Sequence, residues 1–157
     1  GMVSQGFDYS APYYRTKLSF DKKFDFIFKH MPNKKKFGNF GLSGHGAAGI
    51  ELDSVNFLLG TPEKTHVLAF SKDHSDIYLL APEEMLDPAP GLGGTENEKI
   101  QSNLAIHQND NFGGFFSVGS IAWAGSMAWN NYDNEVSRLT FNILESFVKK
   151  KRFIDDN

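Results

Sequence analysis

The stretch from Gly113 to Phe147 constrains the fold more than any other, because its hydrophobic period changes partway along. Gly113 and Gly114 lead into Phe115, Phe116 and Val118, a short apolar run that predicts a strand buried on both faces. Gly119 and Ser120 break that run. Trp123, Trp129 and Tyr132, with Ser126, Asn130 and Asn131 among them, then form an aromatic loop. From about Asn134 the period becomes helical: Val136, Leu139, Ile143, Leu144 and Phe147 share a face. Asp133 or Asn134 offers an N-cap oxygen. Glu135 suits the positive end of the helix, and Lys149 to Arg152 suit the negative end. In α/β proteins a strand, small-residue turn and capped helix in this order is a frequent ligand position. The competing reading is a tight connection only.

The rest of the chain supplies further strands. His66–Phe70 and Ile77–Ala81 are short β-rich runs separated by a polar turn, and Pro82 ends the second. Leu104–Ile106 begins another strand, and Asn109–Gly114 carries a hairpin signal back into Phe115–Val118. Asp21 to His30 predicts a short helix with Phe24, Ile27 and Phe28 on one face, ended by Pro32. Asp53 is placed to cap a helical turn through Val55, Phe57, Leu58 and Leu59. Residues 85–98, rich in proline and glycine, read as a surface loop. The expected fold is α/β or α+β: a mixed sheet of four to five strands with flanking helices. One domain spans 1–157, with an extended arm at 1–16, a globular body at 17–148 and a basic and acidic tail at 149–157. Gly1, ahead of Met2, has the look of a residue left by tag cleavage and is kept out of the fold reading.

Composition removes whole classes of chemistry. The 157 residues include no cysteine, which excludes disulfides, thiolate metal sites and cysteine nucleophiles and fits a cytoplasmic home. A net charge of −3, with Lys34–Lys36 as the one basic run within the body, argues against nucleic-acid binding. No run approaches the ~20 apolar residues of a membrane span, and no charged-then-apolar signal opens the chain.

Several residues could carry chemistry. Gly44, Gly46 and Gly49 match G-x-G-x-x-G, but no hydrophobic strand precedes them and no clear helix follows. The alternative is a glycine loop that lets the backbone pass close to something bulky. His74 and Asp76, at i, i+2, would share one face of a strand and with His45 or His107 could hold a metal; a solvated turn is the competing reading. Glu51, between Ile50 and Leu52 and beside the glycine loop, is a candidate acid or base. Glu83 and Glu84 read better as an acidic turn. Ser120 lacks both flanking glycines of a nucleophile elbow and reads better as a turn or capping hydroxyl than as a nucleophile. Trp123, Asn131 and Tyr132 could wall a small polar ligand, or the tryptophans could pack a core edge.

Phe116–Met127 followed by Asn131–Thr140 resembles the C-terminal end of the large subunit of N,N-dimethylformamidase. So do Phe40–Leu42 with Gly46–Asp53, then Leu59–Pro62, His74–Tyr78 and Pro82–Glu84. The matches run in the family's order over most of residues 7–148. The family pattern prefers a glycine near His45, so the resemblance carries no role for that imidazole. What the resemblance implies is an amidohydrolase that releases formate and an amine from a formamide. It also implies a glutamine-amidotransferase-like domain, of which this chain would be the closing half, and an iron held by tyrosine and glutamate upstream of the matched part. On that view the chain itself holds no metal or cofactor. Its partner is the remainder of a large catalytic subunit, or further copies in a homo-oligomer, and it is inactive alone with a small amide as the possible substrate. Glu51, His74 and Ser120 are the catalytic candidates it can offer, and Trp123, Asn131 and Tyr132 the substrate-binding ones. Two other readings stand beside this one. The first is a non-catalytic assembly or ligand-binding module using the aromatic loop 123–132; the second is an independent hydrolase with a metal at His74 and Asp76.

Overall fold

A computed structural model describes residues 2–4, 10–80, 90–110, 113–149 and 154. Glu83, Glu84, the first part of the loop at 85–98, the tip of the hairpin at 111–112 and most of the tail lie outside the described residues. In chain order the strands are β1 (Met2–Ser4), β2 (Tyr13–Arg15), β3 (Lys36–Phe37), β4 (Glu51–Leu52), β5 (His66–Ser71), β6 (Tyr78–Leu80), β7 (Asn103–Gln108) and β8 (Gly114–Ser117). The helices are α1 (Asp25–Phe28), α2 (Ala122–Met127) and α3 (Glu135–Lys149), with short 3₁₀ turns between.

Five strands form the main sheet in the order β3-β2-β5-β7-β8, and β4-β1-β6 form a smaller one. All the described strand pairs are antiparallel. The chain is thus an α/β protein whose main sheet has the four to five strands, with flanking helices, that the hydrophobic pattern predicts. The β7–β8 hairpin is closed by Asn109, whose N–H donates to the Gly113 carbonyl and whose side-chain oxygen accepts from the Gly113 N–H.

Three expectations need correction. Tyr13–Arg15, read as part of a surface arm, is an inner strand: Tyr13 pairs with Phe37 on one side and Ser71 on the other and is fully buried. Its isolated sequence has no period because only three residues enter the sheet. Phe115 and Phe116 do not lie in a strand buried on both faces. β8 is the outermost strand; Phe115 stays 38% exposed and stacks on His107 across the hairpin. Finally, Asn56, not Asp53, caps the turn at Phe57–Leu59 by accepting from the Leu58 N–H.

α3 packs against α1 and α2 and adds its buried face to the core. Val136, Leu139 and Ile143 are buried, and Asn134 caps the helix by accepting from the Ser137 N–H. Asn142, fully buried, donates to the carbonyls of Ile27 and Lys29 and so fastens α3 to the end of α1. On the neighbouring edge, the Arg15 guanidinium is sandwiched between the rings of Phe20 and Phe28 at 3.8 and 3.9 Å, and donates to Ser19. Burial holds its pKa below the ordinary value, against the raising effect of Asp25. The pair of rings replaces water around the cation and ties β2 to the helical segment that follows it.

Candidate functional site

One end of the five-stranded sheet gathers most of the polar residues singled out above. β5 ends there at Ser71, β7 begins just after Ser102, β2 begins at Tyr13, and the chain leaves β8 through Val118. Their side chains form a continuous buried path. His74 Nε2 lies 2.7 Å from Ser71 Oγ. Ser71 Oγ also accepts from the Ser102 N–H at 2.8 Å. The Ser102 hydroxyl donates to Tyr13 Oη at 2.7 Å, and Tyr13 donates to the Val118 carbonyl. Ser102 has a single hydroxyl hydrogen, taken by Tyr13, so Ser71 serves the 3.2 Å contact between the two serines. His74 then donates from Nε2. Every hydrogen in the path has an acceptor, and within the path His74 Nδ1 alone is left buried without a partner.

Burial sets the electrostatics of this path. The His74 imidazole is 2% exposed, and desolvation lowers its pKa to about 4 despite the opposing charge of Asp73. Burial likewise pushes the Tyr13 phenol up, against the lowering effect of the Ser102 and Ser120 hydroxyls. Both groups are neutral at pH 7. They hold structure and are poorly placed to exchange protons with a ligand.

The glycine loop closes over the same end. Ala48 pairs with Ala11, and a Cβ on Gly49 would lie 2.0 Å from Ser10 Oγ and 2.7 Å from the Tyr78 hydroxyl. The glycines therefore admit protein backbone and side chain, not phosphate. Ser120 locks the loop: its hydroxyl accepts from the Gly49 N–H at 2.8 Å and donates to the Gly49 carbonyl at 3.0 Å. Next to it, Gly119 has φ +60, and a Cβ there would lie 2.3 Å from the Asp53 carbonyl oxygen. The Tyr78 hydroxyl accepts from the Ile50 N–H, and its ring lies 4.8 Å from His74.

The candidate residues thus divide. His74 and Ser120 meet the same sheet end. Glu51, half-buried in β4, has no hydrogen bond or ion pair through its carboxylate among the described residues. His74 and Asp76 do not share a strand. They lie in the turn between β5 and β6, where Asp73 takes φ 66 and the Asp76 carboxylate accepts from the Thr95 N–H and hydroxyl. Those bonds hold Asp76 below the usual carboxylate range. Among the described residues no three histidine, aspartate or glutamate side chains gather in a way that could hold a metal ion. Trp123 is core: it donates to Thr140 and meets the Tyr13 and Phe37 rings edge-on. Asn131 and Tyr132 are exposed, so the three expected wall residues do not face one space.

A separate open cleft of about 800 Å³ lies between residues 34–40 and 129–135. Lys34, Lys35 and Lys36 edge it, and Phe40 stacked on Trp129 walls it. Sequence reasoning missed Ser71, Ser102 and Tyr13. The available signal was a serine at the inner end of each of two apolar runs, Phe70-Ser71 and Ser102-Asn103.

A sheet end bound together by buried hydroxyls, with the motif residues turned inward, defines an α/β domain in which these groups act as structural ties. The chain belongs to the N,N-dimethylformamidase beta subunit-like C-terminal family, whose pattern matches residues 1–134. It is similar to the N,N-dimethylformamidase beta subunit of Paracoccus aminophilus, 42% identical over 149 residues, 95% of this chain and 20% of that one. The beta subunit of the same enzyme from an Alcaligenes species is 39% identical over 149 residues, again 95% of this chain and 20% of the relative. The chain spans about a fifth of the length of the curated relatives it matches.

Proposed function

We propose that this chain is the C-terminal portion of the large, catalytic subunit of an N,N-dimethylformamidase-like amidohydrolase, within a glutamine-amidotransferase-like domain. The reaction is hydrolysis of a formamide C–N bond to formate and an amine. The family match and relatives about five times as long as the matched region support the assignment. The role of this portion is to build and hold the domain, while other parts of the subunit supply the bond-breaking groups. One observation carries that division: both polar bonds of the Ser120 hydroxyl go to Gly49, and His74 is 2% exposed. Neither can reach a carbonyl carbon without dismantling the sheet end.

An iron held by tyrosine and glutamate does not fit the described residues. The Tyr13 hydroxyl is enclosed by Ser102 and Val118, Tyr14 donates to Asp73, and Tyr78 accepts from Ile50. Among the described residues no glutamate is hydrogen-bonded to any of these tyrosines or to the exposed Tyr132. In this proposal the metal of such an enzyme belongs to other parts of the subunit. The small-amide substrate, a partner subunit and a cytoplasmic location form part of the same proposal. No helix among the described residues is long and apolar enough to cross a membrane.

The test is a formamide assay on the purified chain. N,N-dimethylformamide incubated with the chain alone is expected to give no formate or dimethylamine above the buffer rate. Turnover that disappears in Ser120→Ala or His74→Gln with the fold intact would overturn the division of labour.

A further inference from the structure

α3 is apolar on two sides. Val136, Leu139 and Ile143 face the core, while Phe141, Leu144 and Val148 are 56%, 58% and 86% exposed. The exposed three fall at i, i+3 and i+7, the spacing of a helix–helix seam. Tyr132, 68% exposed, extends the patch: with Met127, Phe141 and Leu144 it lines an open depression of about 390 Å³, with Arg138 at its rim. The backbone that carries Tyr132 is strained. Asn130, Asn131 and Tyr132 all have positive φ, at 51, 53 and 66. Asparagine tolerates that region, but tyrosine does not favour it. The strain presents an aromatic ring to solvent.

We infer that the Tyr132–Phe141–Leu144–Val148 face of α3 is a docking surface for an apolar helix of a different polypeptide segment, one that carries a carboxylate opposite Arg138. This rests on the reading of the chain as part of a longer enzyme, since four-fifths of each curated relative lies outside the matched region. Charge selects the occupant. Arg138 has no ion pair among the described residues, whereas Lys29 and Lys149 are both paired with Glu145. A second copy is the wrong partner. Antiparallel pairing centred on Leu144 would bring Lys149 of the other copy beside Arg138, and parallel pairing would set Arg138 against another Arg138. Either way like charges meet beside the seam. A carboxylate-bearing helix relieves the unpaired cation and covers the apolar row in one contact.

The experiment uses two synthetic helical peptides with the same leucine seam, one flanked by glutamates and one by lysines. Sedimentation of the chain alone is expected to show monomer at all concentrations. In calorimetric titration the glutamate peptide is expected to bind, more weakly as salt rises, and the lysine peptide at least about tenfold less tightly. Leu144→Glu, at an exposed position, should abolish binding with unchanged circular dichroism, and Arg138→Glu should reverse the order of the peptides. Dimerisation of the wild-type chain that Leu144→Glu removes would overturn the choice of occupant. Failure of the glutamate peptide to bind, or binding that ignores Leu144→Glu, would overturn the surface itself. None of these readouts is turnover, so their failure leaves the amidohydrolase reading standing, and turnover by the isolated chain leaves this surface standing.

Discussion

The Ser120 hydroxyl holds both ends of the Gly49 residue, accepting from its N–H at 2.8 Å and donating to its carbonyl at 3.0 Å. The two residues lie 71 positions apart, and the Ala122 N–H reaches the same carbonyl at 3.2 Å. This contact joins the glycine loop to the turn before α2. A serine in this position acts through geometry, and its value is measurable as stability.

Ser120→Ala removes both bonds and leaves a half-buried N–H short of an acceptor, which costs about 1–3 kcal/mol. In a chain of this size each kcal/mol lowers the melting temperature by about 2–4 °C. Urea denaturation should show a lower midpoint with an unchanged slope. Gly119→Ala should be worse, since the added methyl meets a carbonyl and φ is +60. A Ser120→Ala chain as stable as wild type would show that the clamp contributes nothing.

Protonation of His74 supplies a pH signature. Its folded pKa of about 4 lies below the ordinary 6.5, so the fold favours the neutral ring. Between those values the unfolded chain binds more protons than the folded one. Stability is therefore unaffected by this group above about pH 6.5 and falls as pH drops towards 4, by up to ~1.4 kcal/mol per pH unit. Glutamine can still donate to Ser71 but does not titrate. His74→Gln should flatten the slope between pH 6.5 and 4 in a series of denaturation curves, and an unchanged slope would show that another group titrates there.

Asn142 anchors α3 with two donated bonds, to Ile27 and Lys29, each 2.9 Å. Asn142→Leu keeps the branched shape and strands both carbonyls, partly offset by removal of an amide oxygen that is itself buried without a partner, for a net cost of about 1–3 kcal/mol. Amide exchange should quicken first in α3 and α1. Exchange that quickens evenly along the chain would argue that the anchor is not local.

The legibility of these features in sequence varies for physical reasons. β5, β7 and α3 can be read directly because each is long enough for its period to show. β3 and β4, with two residues each, have no period; they exist because Tyr13 and the backbone of β1 pair with them. Phe115–Val118 reads as an interior strand because apolar runs do not say which side has a neighbour. The sheet-end cluster was only half visible. His74, Ser120 and the glycine loop stand out by residue type, whereas Tyr13, Ser71 and Ser102 come from three distant segments that only strand pairing brings together. The resemblance located these motifs in one family; their inward orientation is a matter of three-dimensional structure.

The last expectation concerns Tyr132. In the isolated chain its left-handed backbone should cost about 1–2 kcal/mol, and its 68% exposed ring packs too little to repay this. Glycine adopts φ 66 freely, though it also loosens the unfolded chain by up to about 1 kcal/mol. Tyr132→Gly should therefore leave the melting temperature unchanged or raise it by a few degrees. Asn131→Val should lower it, because a β-branched side chain resists φ 53. If the ring serves an external helix, Tyr132→Gly should weaken binding of the glutamate-flanked peptide while the chain itself gains or holds stability. A glycine variant that loses many degrees would instead place Tyr132 among the residues that hold this chain together.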